Sequence, residues 1–328
     1  MTRKLLLVCS VVLAVVGAGC LGSVPGIGGG GQAPIEQAPQ GSDVLIHVDM
    51  AMFEDEDVER LSEAFAAADP TVDDPENELE AFEAETGLDP EAAQEFLVFM
   101  ELPDPETAMD PEQEEFSGFI VHSAWDEAEL IESIEAEDDT EYVLTEYAGE
   151  DVLYEPAVDP EFGTPLYVGV LDDGQFVLGS EAAVTASLDV VYGDADPVDG
   201  QVRTMYDDLR DGHVKVAVAS SDDLADAATM AAGPEAQAAE LATAAGGVFY
   251  TDGGTAGFEG QLYAADEDAA MDIADMIDGG LATARQLTTD EAAEDHLRSI
   301  EVEHDETTVT MSYEGDVDEL VELLEAGN

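Results

Sequence analysis

The sequence predicts an α+β fold: a duplicated module of antiparallel sheet with helices on one face. Three observations predict it. Stretches of period-two alternation are joined by tight-turn signals, which makes them hairpins. Stripes of apolar residues at helical spacing follow those hairpins. The order strand–helix, hairpin–helix, hairpin–helix then occurs twice, over about residues 43–192 and 208–328. Each half would bury one layer of helices on one layer of strands.

The first strand is carried by Val44, Ile46, Val48 and Met50, alternating with Leu45, His47 and Asp49. Val58, Leu61, Phe65 and Ala68 mark the helix after it, which Asp69-Pro70 ends. A second helical stretch covers about Glu76 to Glu85, and Gly87-Leu88-Asp89-Pro90 opens a short helix. The strand Phe96–Met100 pairs with 117–122 across an acidic, proline-containing loop. Leu130, Ile131 and Ile134 form the next helical stripe. An extra hairpin joins Tyr142–Leu144 to Val152–Tyr154 and turns at Ala148-Gly149. Leu166–Val170 and Gln175–Leu178 flank Asp172-Asp173-Gly174, a strong turn signal. Ser180 is placed to cap the following helix, with Glu181 near its positive end and Val184, Leu188 and Val191 as its stripe.

Gly193 to Gly200 mixes turn formers and charge without an apolar period, so 193–207 reads as a connection. Val214, Val216 and Val218 restart the pattern, with His213, Lys215 and Ala217 on the other face. Ser221 caps a predicted helix with Leu224 and Ala227, and an alanine-rich helix is predicted from Pro234 to Ala245. Val248–Tyr250 pairs with Phe258–Tyr263 across Asp252-Gly253-Gly254, leading to a helix with Ala270, Ile273, Ala274 and Ile277. Ile300–Val302 pairs with Val309–Tyr313 across Asp305-Glu306, and a last helix buries Val317, Leu320, Val321 and Leu324.

Ahead of this body stand Arg3-Lys4, an apolar run from Leu5 to Val16, and the small residues Gly17-Ala18-Gly19 before Cys20. That is the layout of a secretory signal peptide over residues 1–19, its apolar run too short for a membrane span. Cleavage after Gly19 would leave Cys20 first, where a diacylglycerol would anchor it; two acyl chains bind a membrane stably. Gly17 departs from the commoner Leu or Val of a lipobox. Residues 20–42, with Gly28 to Gly31 at their centre, read as a flexible tether. Of the two cysteines, Cys9 leaves with the signal and Cys20 carries lipid, so no disulfide, thiolate metal site or cysteine nucleophile is expected.

The chain has 79 acidic and 8 basic residues, a net charge of −71. Loss of Arg3 and Lys4 leaves six bases against 79 acids, or −73, with Lys215 the sole lysine. At 45% hydrophobic content the chain folds, yet its acids repel one another at low salt. Molar salt shortens the Debye length to about 3 Å and screens them. The expectation is a halophile's protein that loosely gathers cations. The same charge excludes nucleic acid and anionic lipid head groups as partners.

The chemistry-bearing residues give no enzyme signature. His47, His122, His213, His296 and His304 lack zinc-hydrolase spacing and read as surface or rim residues. Leu178-Gly179-Ser180-Glu181-Ala182 sits between strand and helix, but capping accounts for Ser180 and no Gly-x-Ser-x-Gly elbow exists. Asp194-x-Asp196-x-x-Asp199-Gly200 departs from a calcium-loop register. Trp125, Phe116 and Phe119 read as core, and Arg203, Arg210 and Arg298 as local ion pairs. No cofactor, metal or catalytic residue is predicted.

The Ala18-Gly19-Cys20 ending, the glycine tether, the Val44-to-Met50 strand, Thr86-Gly87-Leu88-Asp89-Pro90 and Phe176-Val177-Leu178-Gly179-Ser180-Glu181-Ala182-Ala183-Val184 together carry a likeness. The chain resembles haloarchaeal secreted lipoproteins of unassigned function and is similar to bacterial secreted proteins with the same Leu-Gly-Ser helix entry. The resemblance implies export and anchoring on the outer face of the cell membrane, and carries no catalytic residues. The expected function is therefore a non-enzymatic, membrane-anchored binding or envelope-associated domain, its protein or small-molecule partner open. The alternative is a solute-binding lipoprotein of a transport system, with a hydrolase third.

Overall fold

The computed structural model describes residues 32–68, 75–102, 116–138, 140–158, 164–219, 241–288 and 291–326. The predicted signal segment, Cys20 and the predicted tether up to residue 31 lie outside the described residues. So do Asp69-Pro70, most of the proline-containing loop after residue 102, and the predicted helices at Ser221 and before residue 241.

Twelve strands form one antiparallel sheet: β1 (Val44–Asp49), β2 (Ala93–Met100), β3 (Ser117–Ser123), β4 (Tyr142–Tyr147), β5 (Glu150–Pro156), β6 (Tyr167–Asp172), β7 (Gln175–Gly179), β8 (Val214–Val218), β9 (Ala242–Asp252), β10 (Thr255–Ala264), β11 (Glu301–Asp305) and β12 (Thr308–Asp316). Their order is β11-β12-β10-β9-β8-β1-β2-β3-β7-β6-β5-β4. The described helices are α1 (Glu56–Ala68), α2 (Pro75–Thr86), α3 (Glu127–Asp138), α4 (Glu181–Tyr192), α5 (Gly200–Asp208), α6 (Glu267–Leu287), α7 (Glu291–Ser299) and α8 (Val317–Ala326). The α+β class is as the sequence predicts.

The halves meet at the centre, where β1 pairs with β8 from Val44↔Val218 to Val48↔Val214. Outward from that seam the order is β1-β2-β3-β7-β6 on one side and β8-β9-β10-β12-β11 on the other. The hairpin β4–β5 extends the first side. Its turn places Ala148 at φ 53° and Gly149 at φ 94°, two left-handed residues that suit the twist of the flanking strands.

Helices cover both faces, where the sequence suggested one. The reason is visible in the central strands, which are apolar on both sides. Val48, Phe96, Val121 and Phe176 pack under α1, α3 and α8. Leu45, Leu97, Ile120 and Val177 pack under α4 and α5. A strand buried on both faces needs a layer on each.

Two boundaries also move. The predicted connection 193–207 contains α5, whose Val202 and Met205 are 3% and 0% exposed, with Val198 beside them. It is a core element. The folded body begins before residue 43: Pro34–Glu36 forms a short 3-10 turn, Ile35 and Ala38 are buried, and Val198 N donates to Ala38 O at 2.8 Å. The tether reading of 20–42 thus ends nearer residue 33. The alanine-rich helix predicted to Ala245 is corrected over its described end, because Ala242–Ala245 belong to β9. Two glycines follow there, and ladder bonds to β8 and β10 outweigh alanine's helix preference.

Candidate functional site

A line of polar side chains crosses the centre of the sheet on the α5 side. Pairing puts His47 opposite Lys215. One rung away Asp49 stands opposite Glu95, Glu95 opposite His122, and His122 opposite Gln175. Five strands therefore contribute to one seam. The segment Pro34–Ser42 and α5 close over it.

Gln37 is the centre of this closure. It is 2% exposed. Its Nε2 donates to Gln175 Oε1 at 2.5 Å, which leaves its Oε1 as acceptor toward His122 Nε2 at 2.9 Å. This arrangement fixes the proton of neutral His122 on Nε2. Nδ1 then faces Glu95 Oε2 at 4.0 Å, and His47 Nε2 lies 3.9 Å from the same oxygen. The neighbouring His47 holds the Glu95 carboxyl below its ordinary range. Burial pulls His122 below the usual imidazole value and raises Asp49.

Lys215 is 6% exposed, an unusual place for a lysine. Its Nζ donates to Leu209 O at 3.2 Å and sits 4.3 Å from the Tyr206 ring centre. Burial lowers its pKa and raises that of Tyr206. Around the rim, Arg203 bonds Glu36 at 2.6 Å and Asp207 at 2.8 Å. Gln40 Nε2 donates to Asp199 at 3.2 Å. The seam clasps the first folded segment of the chain to the middle of the sheet.

The residues singled out by sequence separate as follows. His47 and His122 join the seam; both were read as rim residues. His213 is fully buried instead of lying on the surface; its backbone is bonded on both sides, to Asp49 and to Phe249. His296 lies on α7 with Nδ1 2.7 Å from Tyr313 Oη, and His304 is exposed on β11. Ser180 caps α4 by accepting from Ala183 N at 3.3 Å. Trp125 is core: Nε1 donates to Asp89 O at 2.7 Å and its ring stacks on Phe82. Arg298 makes local ion pairs, and Arg203 joins a local pair with Asp207 to a distant one with Glu36; Arg210 lies 3.5 Å from the Tyr250 ring centre and pairs with Glu314. Among the described residues no group of three His, Cys, Asp or Glu is arranged to hold a metal ion. Gly19 and Cys20 lie outside the described residues. Gln37, Glu95, Gln175 and Tyr206 were missed. For Glu95 and Gln175 the one signal was polarity at inward positions of otherwise apolar strands; Gln37 lies in the entry segment and Tyr206 on α5, where no such pattern applied.

The fold defines a class: one α+β body built on a single twelve-stranded antiparallel sheet. The same fold is seen in TP0453. Its crystal form III is similar with TM-score 0.51 at 10% identity, over 91% of this chain and 100% of that one. Its crystal form I gives TM-score 0.47 at 9% identity, over 91% and 99%. No family model matches the chain, and no curated protein matches it. At this identity the likeness shows fold alone. Among the described residues no helix is long and apolar enough to cross a membrane.

Proposed function

We propose that this chain is a lipid-anchored, extracytoplasmic domain of a halophile, a non-enzymatic body that binds a partner or supports the envelope. The anchor is Cys20, the address is the segment before it, and the acidic coat suits concentrated salt. The observation that carries the reading is the way the chain enters the body. Ile35 and Ala38 are buried in the core, and Gln37 ties the entry to β3 and β7. A pull on the lipid would reach the centre of the sheet instead of peeling an edge. Thirteen residues separate Cys20 from Pro34, a reach of at most about 50 Å.

The solute-receptor alternative calls for two lobes that close on a ligand. Here β1 and β8 pair across five residues and one sheet runs through both halves, which favours the scaffold reading. Mass spectrometry of the native N-terminus is the test. A diacylglyceryl-modified Cys20 is expected, and Cys20→Ser should move the protein from membranes to the medium. An intact Met1, or a membrane-bound Cys20→Ser protein, would refute the anchor.

A further inference from the structure

The twelve-stranded sheet ends in two unlike edges. At one end β11 carries Glu301, Glu303 and Asp305, charges that guard an edge against strand pairing. At the other end β4 pairs only with β5 among the described residues, and its sequence is Tyr-Val-Leu-Thr-Glu-Tyr. Val143 is 50% exposed and Leu144 43%. They alternate along the strand, so apolar side chains project from both faces, as in the interior strands of the sheet. Val158, just past β5, is 69% exposed. Among the described residues the other exposed large apolar side chains are Met271 and Leu287, so most of them gather at this one edge of an acid-coated surface.

The hairpin fixes which backbone groups of β4 turn outward. Ala148 and Gly149 form a two-residue turn, so Tyr147 and Glu150 close it as a hydrogen-bonded pair. The register shift between Thr145 and Glu146 is taken up by Val152 on β5, which leaves the alternation of β4 intact. At the far end Ala157 N donates to Glu141 O at 2.7 Å, in the same phase. Glu141, Val143, Thr145 and Tyr147 thus direct their backbone groups to β5, and Tyr142, Leu144 and Glu146 direct theirs away from it. Tyr142 N donates to Glu135 Oε1 at 2.7 Å, which closes that end of the edge. Leu144 stands at the centre of what remains.

We propose that β4 is a dimerisation edge: it pairs antiparallel with β4 of a second copy about a two-fold axis at Leu144, joining two sheets into one. Centring on Leu144 is the register that matches all three outward residues of each copy. It sets Leu144 against Leu144, Glu146 against Tyr142 and Val143 against Thr145, so no acid faces an acid. Head-to-tail pairing of β4 with β11 would set the acidic row of β11 against this apolar centre. The strand is short, so the contact is weak and needs concentrated salt, where a Debye length of about 3 Å screens the two acidic bodies from each other.

The test uses the full chain with Cys9→Ser and Cys20→Ser in molar KCl, so its outcome is independent of the lipid anchor. Single cysteines are added to that chain and oxidised. Leu144→Cys should cross-link into dimers about tenfold faster than Val143→Cys or Glu303→Cys, because position 144 alone meets its own copy at disulfide distance. Without an added cysteine, sedimentation should show the average mass rising with concentration toward twice the monomer. Leu144→Pro removes an outward N–H while sparing the bonds to β5, and should hold the chain monomeric with unchanged circular dichroism. The pairing is overturned if Leu144→Cys is no faster than Val143→Cys, or if Leu144→Pro leaves the dimer intact. A chain that stays monomeric overturns it too, and leaves the edge to a strand of another protein. Should Leu144→Pro fail to fold, the cysteine comparison decides alone.

Discussion

Gln37 joins strands that lie 85 and 138 residues further along the chain. Replacing it with Leu keeps the volume and strands His122 Nε2–H and the Gln175 amide. A buried polar group left unpaired costs about 1–3 kcal/mol. The urea midpoint of Gln37→Leu should fall by that equivalent, and an unchanged midpoint would place the entry segment outside the cooperative fold. The pH profile has a definite sign. Burial holds His122 and His213 below the ordinary imidazole value of 6.5, His213 at about 4. A folded value below the unfolded one gives stability that is complete above pH 6.5 and lost as pH falls. For His213 the loss amounts to roughly 3 kcal/mol by pH 4. Glu95, lowered by the neighbouring His47, acts in the same direction further into acid, and Asp49, raised by burial, opposes it. Urea unfolding in molar KCl should weaken steadily from pH 7 to pH 4; a flat curve contradicts the buried neutral imidazoles. His47 and Lys215 were legible as polar positions on a strand. Their meeting with Glu95 and Gln175 was not, because register between distant strands is a tertiary fact.

The hairpins and the helices after them were legible because turn chemistry and apolar spacing agree. Ser180 before Val184 and Leu188 named its own role, and Ser180→Ala should cost about 1 kcal/mol in urea unfolding. Helix α5 was hidden by Gly200 at its start and by the turn formers ahead of it. Its stripe of Val202, Met205 and Tyr206 is helical in spacing, yet so short a stripe gains stability only from the core it meets. Met205→Ala should therefore destabilise by about 2–5 kcal/mol, near the effect of Leu188→Ala. A surface-like cost below 0.5 kcal/mol would return residues 193–207 to the status of a linker. Helix α7 was missed for a related reason: it places one large apolar residue, Leu297, among charges, and Arg285 donates to Leu297 O to hold it against α6.

Across the whole molecule, scarce cations are spent mainly at junctions: Arg60 between α1 and α8, Arg203 between α5 and the entry segment, Arg285 between α6 and α7. Tyrosines supply donors that lysines would elsewhere. Tyr147 bonds Asp189 at 2.7 Å, Tyr154 bonds Glu127 at 2.5 Å, and Tyr250 bonds Glu314 at 2.7 Å; burial first, then the acceptor, pushes each phenol to about 12. These short-range hydrogen bonds outlast screening, whereas repulsion among 79 acids does not. The melting temperature should climb with KCl toward molar concentration, and the circular dichroism of a folded chain should collapse on dialysis into dilute buffer free of divalent ions. Full structure in that buffer would refute salt dependence.

By itself the sequence determined the α+β class, most strands and helices, the turns and the charge, because those follow from spacing and residue type within about a dozen neighbours. It also placed Cys20 behind a signal-like segment. Only the tertiary structure decided that the halves share one sheet, that helices lie on both faces, and that the entry segment crosses a polar seam. Those features depend on which distant strands pair and in what register, and local spacing carries no record of that choice.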